Sequence, residues 1–328
     1  MKKITVLGGG TGSYVVLSGL KQNDLLDLAA IVTMSDNGGS TGRLRDQLGV
    51  LPAGDLRQCL VALSEASQVW RKLFTYRFES GDLIGHNFGN ILISALEKVS
   101  ENYDDVLDEA HRLMNVKGRV IPITNDQVNI HILYKSGRKL EGEKLLDESN
   151  IDGSNIQKAF LVPPAPARAE ALARIKDSDF IIMGPGDLYS SIISISLSGG
   201  VPEAIQNSRA RLIFITNLMT KSSQTNRYTA RDHINDIAHY FGRMPDIVLV
   251  NTAPVSDELL EAYKKVGDEI VQDDLDATNF SGIIVRRNLA SDESFNHNKE
   301  ALAATFAHSI VRHDPAKLAQ TLEEIIHA

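Results

Sequence analysis

One cysteine, Cys59, stands in 328 residues, so no disulfide can form within the chain and no cysteine-based metal cluster can be built. Long apolar runs are missing as well: nowhere do about 18 apolar residues follow one another, the length a membrane helix needs. The amino terminus passes from Met-Lys-Lys straight into an apolar run at residues 4–7, far shorter than a signal-peptide core. These absences predict a cytoplasmic protein with no membrane insertion. Positive charge is in deficit, with 34 Lys and Arg against 42 Asp and Glu and a formal net charge of -8. An acidic chain of this kind disfavours nucleic acid as a partner, while a local basic patch in a cleft still suits a small phosphate ligand. A Gly-x-Ser-x-Gly elbow, a Walker lysine and a His-Glu-x-x-His helix are also absent, which leaves ordinary hydrolase and P-loop readings without support.

What the chain does have is a repeated pattern: a short Val- and Ile-rich run that gives way at once to glycine and small polar residues. Residues 4–7 lead into Gly8-Gly9-Gly10-Thr11-Gly12-Ser13, and residues 29–34 into Ser35-Asp36-Asn37-Gly38-Gly39-Ser40. Residues 180–183 precede Gly184-Pro185-Gly186-Asp187, residues 212–215 precede Thr216-Asn217, and residues 247–250 precede Asn251-Thr252. Short apolar runs bounded by turn residues read as buried strands, and helical spacing between them predicts an α/β fold. We expect a Rossmann-like, mostly parallel sheet with helices on both faces. In such sheets ligands sit beyond the carboxyl ends of the strands, so the polar chemistry should collect along one edge.

The pattern changes near residue 103. A helix over 104–114 leads to an apolar run at 119–123 and then to strict alternation at 128–134, closed by Lys135-Ser136-Gly137-Arg138. That alternation indicates an antiparallel hairpin. Residues 103–165 therefore read as a small inserted α+β subdomain, with 1–102 and 166–328 forming the Rossmann-like core. The Pro-rich stretch Val162-Pro163-Pro164-Ala165-Pro166 marks the return. Near the end, Asp314 reads as the N-cap of a last helix with Pro315 at its first position.

Gly9, Gly10, Thr11 and Gly12 lie where backbone amides and a positive helix end favour a phosphate. A dinucleotide fingerprint would want glycine or alanine at Ser13, so a phosphate cradle and a tight structural turn both stay open. Asp36 follows 24 residues after Gly12, near where a dehydrogenase holds ribose hydroxyls, which admits a nicotinamide oxidoreductase. It is succeeded, however, by Asn37, Gly38, Gly39 and Ser40, a second glycine loop whose Arg43 and Arg45 suit bidentate contact with phosphate oxygens. A solvated loop is the plainer alternative. Asp55 either caps its helix or joins Asp36 and a diphosphate in holding Mg²⁺. Asp187, after Gly184 and Gly186, faces the same two readings, and His86 reads as a structural or ligand-contact residue with no visible nucleophile beside it.

These segments, with Gly54-Asp55-Leu56-Arg57, Gly85-His86-Asn87-Phe88-Gly89-Asn90 and Arg312-His313-Asp314-Pro315, closely resemble the YvcK branch of the CofD-like family. The resemblance implies a gluconeogenesis factor that binds UDP-sugars such as UDP-N-acetylglucosamine and supports cell shape and wall synthesis during gluconeogenic growth. It implies action through a protein partner, is compatible with a homo-oligomer, and attaches no firm reaction to this branch. The nucleotide site it implies takes in the first two glycine loops, Arg43, Asn87, Asn90, Gly184, Gly186, Asp187 and Asn217, with Tyr263 and Arg312 as late contacts. The sister branch transfers a phospholactyl-type group to a deazaflavin with Mg²⁺ on acids that correspond to Asp36 and Asp55. The alternative function is thus a Mg²⁺-dependent transferase like 2-phospho-L-lactate transferase.

Overall fold

A computed structural model describes residues 1–148, 156–291 and 311–328. Strand β1 (Lys2–Gly8) enters α1 (Gly10–Leu20), and β2 (Leu26–Val32) returns parallel to β1 with Leu7 opposite Ile31. Four more helices follow: α2 (Gly39–Leu48), α3 (Gly54–Leu63), α4 (Gln68–Thr75) and α5 (Phe88–Val99). Then come α6 (Tyr103–Met114) and β3 (Arg119–Pro122), which pairs in parallel with β2.

The expected hairpin is present. Strand β4 (Asn129–Tyr134) turns back into β5 (Lys139–Glu141) and also pairs antiparallel with β6 (Ile156–Val162), with α7 (Glu143–Glu148) in between. This three-stranded sheet is separate from the main one. The amino-terminal boundary of the insert differs from the sequence reading, because α6 packs on α3 and α5 and β3 takes the edge of the main sheet. Val120 and Ile121 are both buried there, so this short apolar run fills an edge position of the parallel sheet, outside the insert to which its spacing assigned it. The insert also shares the core: Ile130, Ile132 and Tyr134 are buried in the same apolar cluster as β1 and β2.

The chain then resumes βα alternation. Helix α8 (Ala169–Asp177) precedes β7 (Phe180–Met183), which lies on the free side of β1. A π-helical turn over Leu188–Ile193 runs into the short α9 (Ser194–Ser196), followed by α10 (Val201–Asn207) and β8 (Arg211–Ile215). Next are α11 (Ser222–Thr225), α12 (Ala230–Phe241), β9 (Ile247–Asn251), α13 (Asp257–Lys264) and β10 (Ile283–Arg287). The last element, α14 (Pro315–His327), is capped by the Asp314 carboxylate, which accepts from the Ala316 and Lys317 amides, with Pro315 at the first turn.

The main sheet is parallel throughout, in the order β10-β9-β8-β7-β1-β2-β3, with helices on both faces. Its central strands are buried over most of their length, residues 4–8 of β1 and all of β7, because helices cover them on either side. Helix α14 docks on α1, where a side chain at Gly19 would meet the Pro315 carbonyl at 2.3 Å. The fully buried Leu318 and Leu322 anchor it. Replacing Leu322 by alanine should lower the free energy of unfolding by about 2–5 kcal/mol, the usual cost of emptying a leucine site, measured as a shift of the urea midpoint at unchanged slope.

Candidate functional site

From β1 the strand order runs outward to β2 and β3 on one side and to β7, β8, β9 and β10 on the other. The reversal leaves a crevice between the loops that follow β1 and β7, the place where doubly wound sheets hold their ligands. An open cavity of about 330 Å³ lies there, lined by Gly10, Thr11 and Gly12 from the first loop and by Pro185, Gly186 and Asp187 from the third. Residues 217–221, after β8, form its next wall, and Tyr263 with residues 311–313 close the far side.

Close packing explains several of the glycines. A side chain at Gly12 would lie 1.7 Å from the Pro185 carbonyl oxygen, so the two loops touch backbone to backbone. Gly184 has φ of 80° and Gly186 of 149°, a conformation that side chains resist. At Gly9, the N-cap of α1, a side chain would strike Ser191 Oγ at 2.7 Å.

Asp55 is not a cap: the N-cap of α3 is Ala53, and Asp55 sits in the first turn with its carboxylate turned toward α1. There the Gly10 amide donates to it. A carboxylate of the protein itself therefore holds the position at the amino end of α1 that a phosphate was expected to take. Burial, then the charge of Asp36, and then that of Asp187 push its pKa up from 3.8 to about 7, against the pull of the Gly10 amide and Arg57. Asp36 is likewise raised by burial, although the Gly38 amide at 2.8 Å, the Thr41 hydroxyl, Arg45 and Arg57 all favour its ionised form. The two acids are thus half-buried groups, and the charge of Asp36 disfavours that of Asp55.

The other residues of the second loop lie outside the cavity and knit helices together. Ser40 Oγ meets His86 Nδ1 at 3.2 Å and accepts from the Asn87 amide at 3.1 Å. Asn87 caps α5 by accepting from the Asn90 amide. Asn90 in turn accepts from Arg57 Nε at 2.8 Å and donates to Thr41 Oγ1 at 3.3 Å. Asn37 accepts from the Lys144 amide at 2.8 Å, tying this loop to the insert, and Arg43 donates to the Ile84 carbonyl at 3.1 Å. Gly38 is the N-cap of α2 and Gly39, at φ of 45°, is exposed. Of the residues proposed from sequence, the cavity collects Gly10, Thr11, Gly12, Asp55, Gly186, Asp187, Asn217, Tyr263 and Arg312. Gly9, Asp36, Asn37, Gly38, Gly39, Ser40, Arg43, Asn87, Asn90 and Gly184 are not on its wall.

Residues that sequence reasoning passed over complete the lining. Lys221 is buried and pairs with Asp187, and Asp268 is buried and accepts from the Ser222 amide at 2.6 Å. Glu143 reaches in from the insert, and Ser191 from the π-helical turn. Lys221 and His313 had a positional signal: each closely follows a motif already singled out, Thr216-Asn217 in one case and Arg312 in the other. Asp268 and Glu143 had none, since tertiary packing alone brings them in.

Sheet order, crevice and carboxylate pair together define a doubly wound α/β protein with a polar cavity at the switch point of its sheet. The chain belongs to the CofD/YvcK family, and residues 4–289 match the family described as 2-phospho-L-lactate transferase CofD. It is 36% identical over 325 residues to a Thermotoga maritima protein named "Putative gluconeogenesis factor", covering 98% of this chain and 99% of that one. It is 34% identical over 330 residues to the "Gluconeogenesis factor" of Bacillus subtilis, covering 99% and 98% of the two chains. The crystal structure of a UPF0052 family member from Bacillus halodurans superposes with a TM-score of 0.86 at 33% identity, covering 98% of both chains.

The raised pKa of Asp55 has a definite sign. Between its ordinary value of 3.8 and about 7 the folded protein keeps a proton that the unfolded chain has lost. Stability from this group is therefore full at the acid end and falls as pH rises through that window. In metal-free buffer, Asp55→Asn should melt several degrees above the parent protein at pH 8 and close to it at pH 4. Equal melting differences at the two pH values in differential scanning calorimetry would contradict the assignment.

Proposed function

We propose that the protein is a cytoplasmic UDP-sugar-binding regulator, with UDP-N-acetylglucosamine as the representative ligand, that supports cell shape and wall synthesis during gluconeogenic growth through a protein partner. The observation that carries this reading is the open cavity at the switch point, whose wall includes Gly10, Gly12, Gly186, Lys221 and Arg312. Its size falls at the lower end of ligand pockets, and its open mouth lets part of a longer ligand lie outside. The relatives named as gluconeogenesis factors support the physiological context.

Electrostatics adds a requirement. Among the described residues, Asp55, Glu143, Asp187 and Asp268 line the cavity against Lys221 and Arg312. A diphosphate enters such a site best with a divalent cation. The donor set suits Mg²⁺ in kind: Asp36 and Asp55 are hard oxygen ligands, both raised in pKa chiefly by burial, and Asp55 further by the charges of Asp36 and Asp187. Asp55 and Asp36 would hold the ion, which supplies positive charge to the diphosphate oxygens. The Gly10 amide orients Asp55, and Thr41 with the Gly38 amide orients Asp36. The same acid pair favours the second reading, a Mg²⁺-dependent transferase of a nucleotide-activated phospho-group.

Titration calorimetry with UDP-N-acetylglucosamine and Mg²⁺ should give saturable binding. Lys221→Ala should weaken it by about tenfold or more, as expected for loss of a charge-assisted contact. Asp55→Asn should remove its dependence on Mg²⁺, and Arg43→Ala, outside the cavity, should leave it within about twofold. Absence of binding to the parent protein, or equal affinity in Lys221→Ala, overturns the reading. Mg²⁺-dependent consumption of the nucleotide, lost in Asp36→Asn, would favour the transferase instead.

A further inference from the structure

Between α4 and α5 the chain folds back on itself, and two arginines converge there on one glycine. The Gly85 amide donates to the Phe78 carbonyl at 2.7 Å, and the Phe78 amide to the His86 carbonyl at 2.9 Å. Arg77 Nη1 donates to the Gly85 carbonyl at 2.7 Å. Arg43 reaches over from α2, donates through Nη1 to the Ile84 carbonyl at 3.1 Å, and lies so close that a Cβ at Gly85 would stand 3.0 Å from Nη2. With φ of 76°, Gly85 makes the turn and keeps that space open. Each guanidinium spends a single N–H in these bonds and keeps the rest of its donor fork for other contacts. Both arginines are exposed, and among the described residues neither pairs with a carboxylate. Glu79 and Asp82, on the same hairpin, form no ion pair with them.

The surplus of positive charge is felt by the groups behind them. Burial, and then the charges of Arg43 and Arg77, lower the pKa of His86. Burial followed by the charge of Arg77 brings the buried Arg57 down to about 10, against the pull of Asp55 and Asp36. Two like charges held at one residue disfavour each other, and an anion seated between them relieves this. A carboxylate carries one charge and is matched by one guanidinium. A phosphate monoester is close to dianionic at neutral pH, so it matches two, and its oxygens suit bidentate contact with both forks. We infer that Arg43 and Arg77 form an anion site for the phosphate group of a phosphate monoester, seated on this hairpin outside the switch-point cavity. The inference goes beyond the nucleotide reading, because neither arginine lines that cavity. A small sugar phosphate and a phosphorylated side chain of a protein carry the same group, and the experiment separates the two.

Equilibrium dialysis in low-salt buffer, free of Mg²⁺, measures inorganic phosphate, glucose 6-phosphate and a phosphoserine peptide against the parent protein. Inorganic phosphate should bind saturably, and Arg43→Ala and Arg77→Ala should each weaken it about 10- to 100-fold, as expected for loss of a charge-assisted contact. Binding of UDP-N-acetylglucosamine in Mg²⁺ buffer should stay within about twofold in Arg77→Ala. Tighter binding of the peptide than of the sugar phosphate supports the site and assigns a protein as its source; the reverse order supports it and assigns a metabolite. Two variants at exposed positions keep the test decisive should one fail to fold. Failure of all three probes to bind the parent protein overturns the inference, as does undiminished phosphate binding in both folded variants. Loss of nucleotide binding in Arg77→Ala overturns it too, by merging the site with the cavity. A parent protein that binds phosphate through these arginines but no nucleotide overturns the nucleotide reading and leaves this site standing.

Discussion

The architecture of the site turns on one backbone contact. The α1 turn at Gly12 lies against the Pro185 carbonyl so closely that no Cβ fits between them. This contact joins the loops that follow β1 and β7 at one point beside the crevice. Residues of both loops line one cavity. Gly186, Asp187 and Asn217 take their places relative to that contact, Asn217 through its bond to the Gly186 carbonyl. An alanine in the first loop would therefore disturb the third loop and the end of β8 together.

Charge is arranged around the same point. The amino end of α1 is usually the natural seat for an anion, and here the Asp55 carboxylate is held there by the Gly10 amide. Asp36 lies close enough behind to raise Asp55 further, and Asp187 adds to the effect although Lys221 is paired with it. The crevice is thus shaped for a phosphate ligand but carries its own negative charge. That combination distinguishes it from a plain glycine-rich cradle, in which backbone amides alone meet the phosphates.

Much of this was legible in the chain. Runs of Val and Ile ending in glycine announce buried parallel strands, and the five runs noticed correspond to β1, β2, β7, β8 and β9. The Asp314-Pro315 start of α14 was equally plain, because a cap is local chemistry. The position of β3 was not, since Arg119–Pro122 is too short for periodicity to tell an insert strand from a sheet edge. The Gly85-His86-Asn87-Phe88-Gly89-Asn90 segment looked like a ligand loop. Its asparagines cap α5 and brace Arg57 and Thr41, a role that depends on distant partners no local pattern reveals. Asp55 was a candidate from sequence, yet its partner, the amide of a residue 45 positions earlier, emerges only from the fold.

The cavity joins residues 10–12 to residues 311–313 across almost the whole described span. Such distant segments meet late, because the chain between them must first be ordered. On the ribosome, the first glycine loop is made long before residues 311–313, which share its cavity. A truncated product ending before residue 311 could retain most of the sheet and still lack a complete crevice. A ligand occupying the crevice would therefore need both of these distant segments in place.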